Sequence, residues 1–289
     1  MTETSQAIIC GPGEGERLES EDRVYLVKVA RPELSLIEYD TGPTYTGASP
    51  HFHERHTDAF FLLEGELEFT LGRERHLGRA GTAVVVPPGN VHAFTSHGSG
   101  RARFLNLHAP DSGFADFLRA RTRGEDASFD SVDVDGPQEP GEGTVLGQDE
   151  GTTYVAGTAT SVFKATRDST AGAFSLAEVT IQPGTSGPPP HSHRRLLDSF
   201  YVLEGTLTVR VGDEEVEAGP GAYACAPPGV VHTFANRSSE PVRFLNLNTP
   251  GGWEDYIRDL AAATPADGPP DPRVMGEVLA RHDVVFPDP

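Results

Sequence analysis

The chain has 289 residues, a length that fits about two domains at roughly 100–200 residues each. Its 32 Gly and 24 Pro exceed what long helices tolerate, which excludes a helical bundle and favours short strands joined by tight turns. A formal charge of -20 argues against nucleic acid or an anionic membrane surface as a partner, since both need clustered positive charge.

The opening MTETSQAIICG carries an apolar stretch too short for a signal-peptide core and no basic flank. No apolar run approaches the ~18 residues of a membrane span, so the expectation is a cytoplasmic protein. Two cysteines, Cys10 and Cys225, exclude a disulfide framework and a Cys-rich zinc module. The first strand-like segment is SLIEYD (35–40). EGELEFTLG (64–72) then alternates apolar and polar residues at period two and turns at Gly, and AVVVPPG (83–89) is a short apolar run stopped by Pro-Pro-Gly. A short helix is predicted at 113–121, followed by an acidic, Gly/Pro-rich linker over 122–150. The pattern then begins again, with SLAEVT (175–180), EGTLTVRVG (204–212) and YACAPPG (223–229). A helix at 252–263, a loop at 264–270, a last helix near 273–281 and an edge strand or clasp at HDVVFP (282–287) complete the chain.

Residues 51–110 align with 191–250 without a gap, and 25 of the 60 pairs are identical, so the chain holds two copies of one domain. The predicted organisation is a first domain at 1–121, the linker at 122–150, a second domain at 151–263 and a C-terminal extension at 264–289. Each copy reads as an all-β jelly-roll barrel with a short helix after it.

The repeat also sorts the 11 histidines. His51, His53 and His92 match His191, His193 and His232, whereas His56, His76, His97, His108 and His282 have no histidine partner. A His-x-His pair on a strand points both rings to one face, because side chains alternate. Asp58 and Asp198 follow the second His by an odd offset, which reaches the same face only through a turn or bulge. A return strand would bring His92 or His232. Three imidazoles and a carboxylate make an N/O-rich set suited to one divalent transition metal per barrel: Fe, Mn, Ni, Co, Cu or Zn.

Each copy resembles a cupin domain. His51, His53, Asp58 and Gly65 follow the first motif of that family, and Gly81, Pro87, Gly89 and His92 follow the second, with Ser96 in place of the final Asn. The second copy matches at His191, His193, Asp198 and Gly205, then at Gly221, Pro227, Gly229, His232 and Asn236. The fused pair resembles a bicupin, and PGGWEDYIRDL with the late HDVVFP is similar to the subgroup of quercetin 2,3-dioxygenases. Both copies carry Asp where the family usually has Glu, a side chain shorter by about 1.5 Å, one C–C bond. The resemblance implies that this carboxylate ligates the metal or accepts a proton, making Asp58 and Asp198 the candidate catalytic residues.

Strand parity places Phe60, Leu62 and Phe94 inside the first barrel and Phe200, Val202 and Phe234 inside the second, as core and as the apolar wall of a substrate pocket. Asn106 and Asn246 recur in RFLNL, and His108 becomes Asn248. The resemblance implies a metal-dependent dioxygenase acting with O2 on an enolic or phenolic, flavonol- or polyketide-like small molecule. The alternative is a non-redox isomerase or cyclase in which the metal polarises a carbonyl and the Asp moves a proton. A storage or binding role stands against the intact ligand sets. A homodimer is compatible with the sequence.

Overall fold

A computed structural model describes residues 6–98, 101–265 and 271–287. The loop expected at 264–270 lies outside the described residues from 266 to 270. The chain divides into two compact units. One gathers Glu14–Glu150 and Asp168–Ala173, and the other gathers the chain up to Gly13, Gly151–Arg167 and the chain from Phe174 on.

The first unit is a sandwich of two antiparallel sheets. One sheet has seven strands, in the order Thr144–Leu146, Ala83–Val86, Thr57–Glu64, Ala102–Ala109, Leu34–Thr41, Arg23–Arg31 and Glu16–Ser20. The other has five, in the order Val132–Asp133, Ala48–Phe52, His92–Ser96, Glu66–Leu71 and Glu74–Arg79. The period-two pattern of ELEFTL appears directly as alternating burial along Glu66–Leu71. Phe60, Leu62, Phe69, Val84, Phe94 and Phe104 fill the space between the sheets. Burying such side chains contributes about 1.5–3 kcal/mol each.

The second unit repeats this plan. Its seven-stranded sheet runs Ile8–Cys10, Tyr223–Ala226, Leu197–Glu204, Val242–Thr249, Ser175–Ile181, Ala159–Ala165 and Thr152–Ala156. Glu214–Ala218, Leu207–Val211 and His232–Ala235 form the facing sheet, joined through a bridge between His191 and His232. Phe200, Val202, Leu207, Val209 and Phe244 are buried in its core, with Phe234 packed against them. Both jelly rolls are therefore built as the repeat predicts.

The glycine of each Leu-Glu-Gly turn has a physical reason. Gly65 and Gly205 both sit at φ +77°, and a Cβ there would lie 2.3 Å from the Arg101 carbonyl oxygen or 2.7 Å from that of Pro241. No other residue takes this turn without moving backbone.

The helices fall at Phe114–Thr122, Trp253–Ala263 and Pro272–Arg281. Asp271 caps the last, its side chain accepting the Arg273 amide at 2.8 Å. None is long and apolar enough to cross a membrane.

The ends and the linker differ from a simple two-bead reading. Ile8–Cys10 pairs with Tyr223–Cys225 and so belongs to the second unit. Residues 122–150, polar in composition, donate two short strands to the first unit: Val132–Asp133 pairs with His51–Phe52, and Thr144–Leu146 pairs with Ala83–Val85. The HDVVFP segment places Val285 beside Ser192, with reciprocal backbone bonds of 2.8 and 2.9 Å. Each copy thus receives a strand at the same sheet edge from elsewhere in the chain, one from residues 144–146 and one from residues 8–10.

Candidate metal centre

In the first unit the His-x-His segment closes a strand of one sheet and Asp58 lies at the start of a strand of the other. The turn at 53–56 carries the chain across, which is how the odd offset still brings the carboxylate to the imidazoles. His92 returns on the strand beside Ala48–Phe52, directly opposite His51. His51, His53, Asp58 and His92 are all buried, and one ligand atom from each lies within 4.8 Å of every other. Asp58 Oδ2 is 3.2 Å from His92 Nε2 and 3.6 Å from His53 Nε2. Ligands at about 2.1 Å from a common ion stand roughly 3–3.4 Å apart, so the shorter carboxylate reaches the cluster.

Hydrogen bonds fix the imidazole tautomers. His51, His53 and His92 each direct Nδ1 at a backbone carbonyl, of Ser49 at 2.7 Å, Asp130 at 2.5 Å and Asn90 at 3.1 Å. A carbonyl only accepts, so each Nδ1 carries a proton and each Nε2 is turned toward the cluster, that of His92 against the Asp58 carboxylate. His53 Nε2 and His193 Nε2 are buried without a hydrogen-bond partner. A buried lone pair left unsatisfied costs about 1–3 kcal/mol, and a metal bond answers it. The residues present fit a divalent metal in each barrel.

The second cluster, His191, His193, Asp198 and His232, is buried with the same spread. Asp198 Oδ2 is 3.1 Å from His232 Nε2 and 3.8 Å from His193 Nε2. Nδ1 of His191 bonds the Pro189 carbonyl, that of His193 the Asp283 carbonyl and that of His232 the Val230 carbonyl.

What surrounds the carboxylates differs. Asn106 and Asn246 both point inward, each donating to the Asp Oδ1 at 2.6 Å. In the second unit Asn248 donates to the same Oδ1 at 2.7 Å. In the first, His108 takes that place and a relay follows. His108 Nε2 meets Asn106 Oδ1 at 3.0 Å, His108 Nδ1 meets His56 Nε2 at 2.7 Å, and His56 Nδ1 meets Asp130 Oδ2 at 2.9 Å. Asp130 and Asn106 Oδ1 both accept. The two rings therefore need three N–H protons to make all three bonds, one more than two neutral imidazoles hold. His53, His56 and His108 also cluster closely, but His53 Nδ1 is taken by the Asp130 carbonyl, His53 is shared with the four-residue cluster, and the His56–His108 contact is a hydrogen bond. They extend the first site and do not form a separate one.

Burial, with the charge of neighbouring imidazoles, pushes His51 down to about 3, His191 to about 4 and His56 to about 4, and holds His108 well below its usual range. Neutral imidazole is the form that ligates. Asp58 and Asp198 are also lowered. Burial opposes this, but His108 with His53 and His92 outweighs it at Asp58, and His193 with His232 outweighs it at Asp198. His193 moves upward, its burial being outweighed by Asp198.

The aromatic residues around the sites follow the parity reading as core. Phe60 packs 4.9 Å from Phe94, and Phe200 packs 5.5 Å from Phe234, ring centre to ring centre. His108 stacks on Phe114 at 3.7 Å, and His193 meets the edge of Trp253 at 5.2 Å.

The cupin domain model matches residues 37–108 and again 177–248. This chain belongs to the cupin family and is a bicupin. A curated relative is the quercetin 2,3-dioxygenase of Bacillus subtilis (strain 168), 24% identical over 249 residues, covering 73% of this chain and 72% of the relative. Among solved structures, this bicupin is similar to the Lactobacillus farciminis oxalate decarboxylase formate complex, with a TM-score of 0.61, 14% identity and coverage of 85% of this chain and 86% of that one. Procruciferin, an 11S globulin from Brassica napus, matches with a TM-score of 0.58, 12% identity and coverage of 86% and 85%. These structural likenesses report the fold.

Sequence reasoning did not find Asp130 or Asp283 in this bicupin. It left the direction of Asn106, Asn246 and His108 open and assigned nothing to His56. A usable signal exists for the aspartates: FDSV at 129–132 and HDVV at 282–285 share an Asp and a Val at equal spacing.

Proposed function

We propose that this bicupin is a metal-dependent dioxygenase acting on an enolic or phenolic small molecule, with the first barrel as its main catalytic site. The observation that carries this reading is the convergence of three buried imidazoles with one carboxylate inside an apolar, Phe-rich barrel. Sequence similarity to a quercetin 2,3-dioxygenase supports the reaction class. His51, His53, His92 and Asp58 would hold the metal in the first barrel, and His191, His193, His232 and Asp198 in the second. A bound redox-active metal would supply one-electron chemistry toward O2.

The chain's own residues do the rest. Burial holds His51 and His191 in the neutral form that ligates. Asn106 grips Asp58 Oδ1 and keeps Oδ2 turned toward the imidazoles, where it accepts the proton of an enol or phenol hydroxyl. Phe60, Leu62 and Phe94 exclude water and wall an aromatic ring, as Phe200, Val202 and Phe234 do in the second barrel. A storage role would need none of these ligands.

The test is consumption of quercetin by purified, metal-loaded protein with and without O2. Turnover should require both metal and O2. Undiminished conversion under anaerobic conditions would replace this reading with the isomerase or cyclase alternative.

A further inference from the structure

The six imidazoles are not held alike. Four of them bond a carbonyl two residues earlier in their own segment: His51 to Ser49, His92 to Asn90, His191 to Pro189 and His232 to Val230. Backbone two residues upstream, in the same segment, holds those rings. His53 and His193 instead bond carbonyls 77 and 90 residues away, those of Asp130 and Asp283. Their Nε2 atoms are also the ones left buried without a partner.

The same two aspartates grip the adjoining turn with their side chains. Asp130 accepts from the Glu54 amide at 3.2 Å, the Arg55 amide at 2.8 Å and His56 Nδ1 at 2.9 Å. Asp283 accepts from the amides of Arg194 at 2.9 Å, Arg195 at 2.8 Å and Leu196 at 3.3 Å. These amides pull both carboxyls below the usual range, against burial, so they are ionised and bind the N–H groups strongly. Short pairings just beyond each aspartate, Val132 with Phe52 and Val285 with Ser192, pin the segment along the His-x-His strand. Carboxylate, carbonyl and strand together set both the turn that leads to the Asp ligand and the ring of the second histidine. The arrangement occurs twice, with unrelated connections into it.

We propose that Asp130 and Asp283 are positioning residues, each setting how tightly its own barrel holds a metal, through the second histidine of the His-x-His pair. This rests on the metal reading above. Partners of this kind, which orient a ligating imidazole through its other nitrogen, typically change metal affinity about 10–100-fold when lost.

The experiment uses the full chain carrying Asp130→Asn or Asp283→Asn, with the alanine variants as the deeper cut. Asn is close in shape but can offer only one oxygen, so one amide loses its acceptor while the fold is retained. Each protein is loaded with Cu(II). The readouts are the electron paramagnetic resonance spectrum and the rate at which a chelator removes each metal. Asp130→Asn should alter one of the two copper signatures and speed release from that site about 10–100-fold, leaving the other unchanged. Asp283→Asn should do the reverse. Spectra and release rates unchanged at both sites, with only thermal stability lowered, would overturn the proposal and leave a merely structural role. Equal loss at both sites from either variant would overturn it as well. Failure of the wild type to take up two copper ions would instead overturn the metal reading beneath it.

Discussion

The two barrels share their ligands and differ in what lies behind them. Asp58 and Asp198 are each gripped at Oδ1 by an asparagine and each face two imidazoles. Behind Asp198 stands Asn248, a neutral donor with nothing to relay. Behind Asp58 stand His108 and His56, reaching as far as Asp130. Phe114 stacks on this network in the first unit, whereas Trp253 stands against His193 in the second. The lesson is that duplication preserved the metal-binding frame and left the titratable surroundings free to diverge. Function should follow the surroundings.

The largest expected effect separates the barrels by activity. His53→Ala should abolish turnover, while His193→Ala should leave most of it, as read by steady-state assay on quercetin. The opposite pattern would make the second barrel the catalytic one.

Next in size is the carboxylate. Asp58→Asn should cost about 10²–10⁴-fold in rate, the usual span for a proton acceptor, and Asp198→Asn much less. Metal retained in Asp58→Asn assigns a base, and metal lost with activity assigns a ligand.

Acid should also tell the units apart once metal is stripped by chelation. His51, His56 and His108 are lowered in the first unit, whereas in the second His191 is lowered and His193 is raised. A lowered imidazole binds its proton better in the unfolded chain. Its contribution is complete above about pH 6.5 and is lost as pH falls toward the folded values of about 3–4. Each such group costs up to about 1.4 kcal/mol per pH unit in that window. Asp58 and Asp198 are lowered in both units, so their contributions are lost only at pH values below about 4. From pH 7 to 5 the first unit should therefore weaken more. Trp253, the one tryptophan, reports the second unit by fluorescence, and circular dichroism reports both. The thermal midpoint by dichroism should fall before that by fluorescence, and coincident shifts would contradict this.

The smallest effect comes from giving the first barrel the second one's surroundings. His56→Leu with His108→Asn should keep the metal, remove part of the acid sensitivity and change the rate less than Asp58→Asn does. A pH dependence of stability identical to wild type would show that these rings do not carry the difference.

Much of this was legible in the residues, and the illegible part has a pattern. The strands of each barrel were readable because period two and Pro-Pro-Gly are local signals. The eight ligand candidates stood out because they recur at matching positions in the two copies. That same filter discarded His56 and His108, since a feature unique to one copy is invisible to a comparison of copies. Asp130 and Asp283 act across 77 and 90 residues, and nothing local announces such a bond. The strands at 132–133 and 144–146 are two and three residues long, too short to override the polar composition around them. Ile8–Cys10 was visible as an apolar stretch, but a lone edge strand does not state which sheet it joins.

On the metal reading, each barrel holds its own ion through three histidines and an aspartate. Elemental analysis of the purified wild type, His53→Ala and His193→Ala tests it most directly. About two first-row transition-metal ions per wild-type chain and about one in each variant are expected. Two ions retained in both variants, or none in the wild type after loading and dialysis, would contradict it.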